Sequence, residues 1–512
     1  MDIGFWSVEI PDQAIYCGDS AIRGDARGSV RRPATTTAQG SGICERGCYL
    51  PPPMGRVRRS CPLLVIVARD EEPTMQSRCR SLSLALTLSF FIPSLSFAAD
   101  VPASAINSGD TAWMLVSTAL VLFMMIPGLS LFYAGLVRAK NVLSLFMQCY
   151  ALTAVMSLVW LACGYSLSFS GSSGVIGDLQ LAFLNGVGPD ATPRADAPTI
   201  PVLIHFAYQM MFFLITPGLF IGAFAERMKF SAIMLFSVLW SLVVYVPCCY
   251  GVWHRLDFFG LTGVIDLAGG IVVHITAGVA ALVACLLVGP RRGFPTTPML
   301  PHNLPFTVVG AGMLWVGWFG FNGGSQLAAN GNAAMTVVVT HISASAASVV
   351  WMAIEWFRNR RPSVLGIATG SIAGLAAITP ASGKVGPIGA LCIGAISAFV
   401  CWTACVKLKT KFRYDDSLDV FGVHGVGGFI GTIMVAVCGS KQFPGGLGDY
   451  EIAPQLQTQS LAALYTVLLS GVCSIILLKL IDATIGLRVP ELAERDGLDL
   501  SEHGENAYNE EN

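Results

Sequence analysis

From about residue 111 onward the chain reads as a succession of long apolar runs separated by short polar breaks. Each run is 18 to 30 residues, long enough to cross a hydrocarbon core of ~30 Å as a helix. Eleven such spans are predicted, at roughly 111–135, 142–168, 201–225, 229–252, 266–289, 303–325, 333–357, 364–381, 385–406, 419–438 and 457–486. The eighth is short and rich in glycine, so its limits are the least defined. The expected fold is an all-α membrane protein with eleven transmembrane helices. Helices 1–5 and 6–10 form two five-helix halves, and a final long helix follows. Five is odd, so the second half begins on the opposite side of the membrane from the first, as in an inverted repeat.

The start of the chain breaks the pattern. Residues 1–74 are rich in Arg, Gly, Pro and Cys and lack a helical period. At Met75 the layout changes to that of a signal peptide: Arg78 and Arg80, an apolar stretch from Leu82 to Ile92, and Ser96-Phe97-Ala98 as a small-x-small cleavage site. Residues 75–98 are therefore expected to be a signal peptide. Residues 1–74 are expected to lie outside the native protein through an over-extended start, or else to form a disordered or cytoplasmic extension.

Composition supports a membrane protein. The 512 residues are 54% hydrophobic and 12% charged, with a mean hydropathy of +0.63; soluble domains carry about 25% charged residues. The net charge of −1 and the absence of a basic patch with interleaved aromatics give no sign of nucleic-acid binding. The 15 cysteines lie mostly inside apolar runs and form no paired zinc-ribbon spacing, so they are read as small apolar fillers.

Charge also sets an orientation. With a cleaved signal the mature N-terminus lies outside, and the loops after odd-numbered helices are cytoplasmic. These carry Arg138, Lys140, Arg227, Lys229, Arg291, Arg292, Arg358, Arg360, Arg361, Lys407, Lys409, Lys411 and Arg413, against only Arg194, Arg255, Lys384 and Lys441 outside. Positive residues gather on the cytoplasmic side, so the two signals agree. The tail from residue 487 to 512 is then cytoplasmic.

Ionisable residues within spans are costly and point to function. Asp266, His274, His424 and Glu355 stand out. Glu355, beside Arg358, is read as an interfacial structural residue. The fifth span carries Asp266 eight residues before His274; the tenth carries Asp419 five residues before His424. Each imidazole could be a satisfied core residue. As a pair they could also line a greasy channel, hydrogen-bond a small polar molecule and pass a proton. A metal would need about three protein ligands, and no third His or Cys is placed to serve, so no metal or cofactor is expected. Asp266 is read either as a helix N-terminal residue satisfying free N–H groups or as a carboxylate orienting an outer cation. Trp253 belongs either to the aromatic belt or to a cation-holding face.

Several stretches resemble the Amt/Mep/Rh ammonium transporter family, in its bacterial Amt branch. They are Ile126 to Arg138, Gly222 to Arg227, Asp266 to His274, Pro301 to Pro305, Gly317 to Asn322, Asp419 to Gly425, Gly486 to Glu491 and His503 to Tyr508. The resemblance covers about residues 107–508. It implies an ammonium transporter, not an enzyme, in the inner membrane. The implied assembly is a homotrimer with one pore per subunit, over residues 99–486, and a regulatory tail that answers to a PII-type signalling protein. By match, Trp253, Phe212 and Ser325 with Asp266 form an outer ammonium site, and Phe212 and Phe321 a gate. His274 and His424 form the twin-His pore, and Tyr133 lies at the cytoplasmic vestibule. Three departures bear on the outer site: Tyr208 in place of Phe, Leu267 after Asp266, and His254-Arg255 after Trp253, where a positive Arg255 is expected to weaken cation recruitment. An ammonium sensor on the same fold is the alternative function; it is expected to carry a long output domain, whereas about 26 residues follow Gly486. A membrane metalloenzyme and a channel for another neutral gas are the remaining rivals.

Overall fold

The computed structural model describes residues 106–508. The expected signal segment at 75–98 and the atypical residues 1–74 lie outside the described residues. Ten helices among the described residues are long and apolar enough to cross a membrane: α1 (Ser108–Leu136), α2 (Ala139–Phe169), α3 (Val202–Phe224), α4 (Phe230–Arg255), α5 (Gly270–Val288), α6 (Leu304–Gly324), α7 (Gly331–Asn359), α9 (Pro387–Phe412), α10 (Phe421–Cys438) and α11 (Ile452–Thr484). Between α7 and α9 lies α8, Val364–Ile378, a helix of 15 residues. At 1.5 Å per residue α8 is roughly 22 Å long, shorter than a full crossing. It is buried on nearly every face between α6, α7, α9 and α10, so it needs no lipid-spanning length of its own. A two-strand hairpin, β1 (Asp257–Phe258) with β2 (Leu261–Thr262), joins α4 to α5.

Large apolar side chains such as Leu158, Leu286, Phe399 and Leu468 are more than half exposed on the outer faces of the helices. The core between helices is equally apolar. Helices apolar all round belong in lipid, and a membrane supplies no water for backbone groups, which here are satisfied within the helices. Small residues set the close crossings. A Cβ added to Gly278 of α5 would lie 2.2 Å from the Gly425 backbone of α10, and one added to Gly428 would lie 2.7 Å from His274 Cβ. Glycine at these two points lets the two histidine-bearing helices touch.

One boundary differs from the sequence reading in an instructive way. The fifth helix begins at Gly270 rather than 266, because Asp266 stays outside the helix and accepts its first N–H groups. Glu355 bonds Trp351 Nε1 (3.3 Å) and the backbone N–H of Ser363 (2.8 Å), tying α7 to the start of α8.

The tail folds back on the loops. Its helices α12 (Glu491–Asp496) and α13 (Leu498–His503) bury Glu494 and Asp499. Asp499 accepts the N–H groups of Leu143 and Ser144 at the start of α2 (3.0 and 2.7 Å), and Glu494 accepts from Arg292 N–H (2.7 Å) and Arg488 (2.6 Å). This segment is docked rather than a simply solvated end.

Candidate functional site

Several of the residues singled out in the sequence pack in series, from Trp253 through Phe212 and Phe321 to His274 and His424. His274 and His424 meet in the middle, Nδ1 to Nδ1 at 3.3 Å, with ring centroids 5.2 Å apart and planes 25° from parallel. Both are buried. Only one Nδ1 can hold the shared proton, so one imidazole donates and the other accepts. The outer nitrogen of the first, His274 Nε2, is buried without a protein partner. An orphaned polar atom in an apolar setting is costly unless something passing can bond it.

The space beside these rings is a cavity of about 10 Å³, lined by Met124, Leu129, Phe132, Ile215, Leu219, Val273, Leu314, Trp318, Phe321 and Ile372 together with both histidines. That is the volume needed by one water-sized molecule. Trp318, which the sequence did not single out, stacks on His274 at 5.6 Å and anchors its indole N–H on Thr379 Oγ1 (2.9 Å).

Toward one end the passage is closed by rings. Phe321 lies 6.1 Å from His274 and 4.3 Å from Phe212, the closest ring pair of the set. Trp253 meets Phe212 edge-on at 5.7 Å, and its indole N–H donates to the Asp266 carbonyl (2.8 Å). Trp253 is thus packed inward over the gate pair. Ser325, just beyond the end of α6, bonds the Phe321 carbonyl (2.8 Å) and lies 3.2 Å from the Tyr208 hydroxyl.

Asp266 does not face the passage as a free carboxylate. Its two oxygens accept four N–H groups, from Gly269, Gly270, Ile271 and Val272, at 2.6 to 3.1 Å. A carboxylate offers about four lone-pair positions, so this one is filled. Of the two readings of Asp266, the geometry supports the helix cap.

Toward the other end His424 and Phe132 also line a second, wider cavity of about 230 Å³, with Tyr133, Thr369, Lys409, Ser417 and Asp419 in its wall. Lys409 Nζ and Asp419 Oδ1 pair at 2.7 Å. The Tyr133 hydroxyl donates to the Leu219 carbonyl (2.8 Å). Below the cavity sits a buried ionic cluster. Arg291 bonds both oxygens of Asp415 (2.9 and 3.0 Å), and Arg138 bonds Glu226 (2.9 Å). Burial alone would raise the carboxyls of Glu226 and Asp415, but the arginines outweigh it and hold both below the usual range.

The counterpart of Asp266 is Asp416, not Asp419. Asp416 lies eight residues before His424, the spacing of Asp266 to His274, and its carboxylate accepts the N–H groups of Val420 and Phe421 (3.1 and 2.8 Å). The five-residue pairing of Asp419 with His424 is superseded by this geometry. The signal was present in the spacing. Two other intramembrane histidines also went unremarked: His205, buried 3.2 Å from the Tyr165 hydroxyl, and His341, exposed on α7 against Trp315.

Comparison with known proteins shows the family. The family model described as the Ammonium Transporter Family matches residues 112–508. The chain belongs to the ammonium transporter family. It is 41% identical over 405 residues to an ammonium transporter of Aquifex aeolicus, covering 79% of this chain and 94% of the relative. Among solved structures it resembles a sensor Amt protein (TM-score 0.70, 28% identity, 77% of this chain and 98% of that one). It also resembles Saccharomyces cerevisiae Mep2 (TM-score 0.69, 31% identity, 76% and 89%). It is accordingly a multi-pass membrane protein of a transporter family, with ten apolar helices of spanning length among its described residues.

Proposed function

We propose that this ammonium transporter family member takes up ammonium across a bacterial inner membrane by shedding a proton at its mouth and passing neutral ammonia through the His274–His424 pore. The observation that carries the reading is the contact of two imidazoles, 3.3 Å apart, in a water-sized apolar passage behind a closed pair of phenyl rings.

Energetics favour this order of events. Moving an unpaired ion into a low-dielectric medium costs on the order of tens of kcal/mol. Deprotonation costs roughly 1.4 kcal/mol per unit between the pKa of ammonium and the ambient pH. Losing the proton outside is therefore the cheaper route. Trp253 and Phe212 supply ring faces that attract a small cation before it is desolvated, and Ser325 presents a hydroxyl oxygen. Asp266 serves this outer site indirectly, by fixing the start of α5 and, through its carbonyl, the Trp253 indole. Phe212 and Phe321 move aside for a molecule the size of ammonia. His274 Nε2 then bonds it, and the imidazole pair relays it toward the cavity at Tyr133. Potassium carries no proton to give up, so it stays out.

In this reading α8 completes eleven crossings, and two halves related by inversion meet at the pore; the shared eight-residue Asp-to-His spacing supports that relation. The mature N-terminus is periplasmic and the tail cytoplasmic, following the loop charges. The His341 ring, exposed about mid-way along α7, is covered by a neighbouring subunit in a homotrimer, since a bare imidazole at that depth is costly. The docked tail, with Tyr508 bonded to His302 (3.0 Å), is the surface offered to a PII-type signalling protein.

The test is flux through the purified protein in liposomes under an ammonium gradient, with an equal potassium gradient as control. Ammonium-dependent change of internal pH or current, absent with potassium, is expected. No flux above protein-free liposomes, or equal potassium flux, overturns the proposal.

A further inference from the structure

Tyr208 projects from α3 into the last turn of α6, where the gate residue Phe321 and Ser325 sit. Its hydroxyl lies 2.9 Å from the Gly320 carbonyl, 2.8 Å from the Phe321 carbonyl and 3.2 Å from Ser325 Oγ. The ring is fully buried and meets Phe212 at 5.1 Å. The close fit is built into the sequence: a Cβ on Gly324 would lie 2.7 Å from the Tyr208 oxygen. A phenylalanine would fill the same volume without reaching any of these oxygens by a hydrogen bond.

Counting protons shows what the hydroxyl does. Tyr208 has one proton and three oxygens within reach; the two carbonyls, at 2.9 and 2.8 Å, lie nearer than Ser325 Oγ at 3.2 Å, so the arrangement that satisfies most groups sends its proton to a carbonyl and leaves its oxygen to accept from Ser325. Ser325 has one proton and two protein acceptors, the Phe321 carbonyl at 2.8 Å and the Tyr208 oxygen at 3.2 Å. Both protons are thus directed at the protein. The lone pairs of Ser325 Oγ are left over, which suits a ligand that brings N–H donors and disfavours one that needs to accept.

We propose that Tyr208 is a positioning residue of the outer ammonium site, holding Ser325 as a hydrogen-bond acceptor. The inference rests on the ammonium-uptake reading above. Tyr208 itself touches no substrate in this scheme; it acts through Ser325.

The test is the concentration dependence of ammonium uptake in liposomes for wild type, Tyr208→Phe, Ser325→Ala and the double variant. Tyr208→Phe should raise the half-saturating ammonium concentration roughly two- to ten-fold, the worth of one neutral hydrogen bond, and leave the maximal flux unchanged. In the Ser325→Ala background the same substitution should add nothing further, since the hydroxyl it positions is gone. An unchanged half-saturation in Tyr208→Phe, an equal shift in both backgrounds, or a fall in maximal flux alone overturns the positioning role. Absence of flux in the wild type would instead overturn the underlying uptake reading, so the two failures are distinct.

Discussion

Asp266 and Asp416 open α5 and α10 with one device, a carboxylate that caps the helix eight residues ahead of a histidine, yet the two ends of the passage they frame differ sharply. Asp266 accepts four N–H groups and holds with its carbonyl the indole of Trp253, which meets Phe212 of the gate pair. Asp416 accepts two and stands near the wide cavity walled by Ser417, Asp419 and Lys409. The shared device fixes where each imidazole stands, because a capped, rigid first turn sets the register of the helix. The unshared surroundings decide access. One end is closed by rings and the other holds polar groups. The same backbone construction therefore stands in two different settings according to what packs over it.

The largest effect expected from breaking the comparison lies at the centre, where α5 and α10 each contribute one histidine. His274→Ala and His424→Ala should each reduce or alter ammonium flux by an order of magnitude or more while the protein still inserts. Flux assays on detergent-checked, correctly folded variants decide it, and wild-type ammonium and methylammonium flux in both would remove the pore role.

Removing the caps should separate the two ends. Asp266→Ala strands four buried N–H groups and Asp416→Ala two. At roughly 1–3 kcal/mol for each unmet group before relaxation, the first should lower thermal stability clearly more than the second. Equal losses would mean that the count of donors is not what distinguishes the two turns.

Adjacent acids at the open end should respond to pH with opposite signs. Burial pushes the Asp416 carboxyl up to about 6, so the folded state holds its proton while an unfolded carboxyl near pH 4 does not. Its contribution to stability grows as pH falls from about 6 to about 4. Asp415, held below the usual range by Arg291 and Arg227 against the opposing pull of burial, contributes stability above about pH 4 that is lost as pH falls further. Thermal midpoints of Asp415→Asn and Asp416→Asn across pH 3 to 7 should change slope in opposite directions.

The limits of sequence reading follow the same division. Periodicity and loop charge made the helices legible, because a membrane imposes length and polarity on each span. His274 and His424 were legible as rare polar residues in apolar runs. The aromatic gate and Trp253 could be placed only by resemblance, since one ring among many carries no positional signal until packing chooses its neighbours. Asp416 was missed in favour of Asp419 because Asp415, Asp416 and Asp419 crowd one short stretch, and only the direction of the side chains separates the Arg291 partner, the cap and the Lys409 partner. The short α8 was uncertain for a physical reason as well: a helix walled by protein is released from the length rule that made the others readable.

The smallest effect concerns the charge beside the closed end. Arg255 follows Trp253 closely enough that repulsion of an approaching cation is a natural expectation from sequence. In the structure its guanidinium donates to the carbonyls of Ser172 and Ser173 (2.7 and 2.9 Å) and lies 3.6 Å from the Asp257 carboxylate. Two carbonyl dipoles and a carboxylate offset most of one positive charge, and what remains is screened within about 8 Å at physiological salt. Arg255→Ala should therefore change half-saturation for ammonium by less than about two-fold at 0.15 M salt, through loss of the loop contacts as much as of charge. A several-fold gain in apparent affinity that disappears at high salt would show that the guanidinium does repel the substrate, and would make the closed end electrostatically as well as sterically selective.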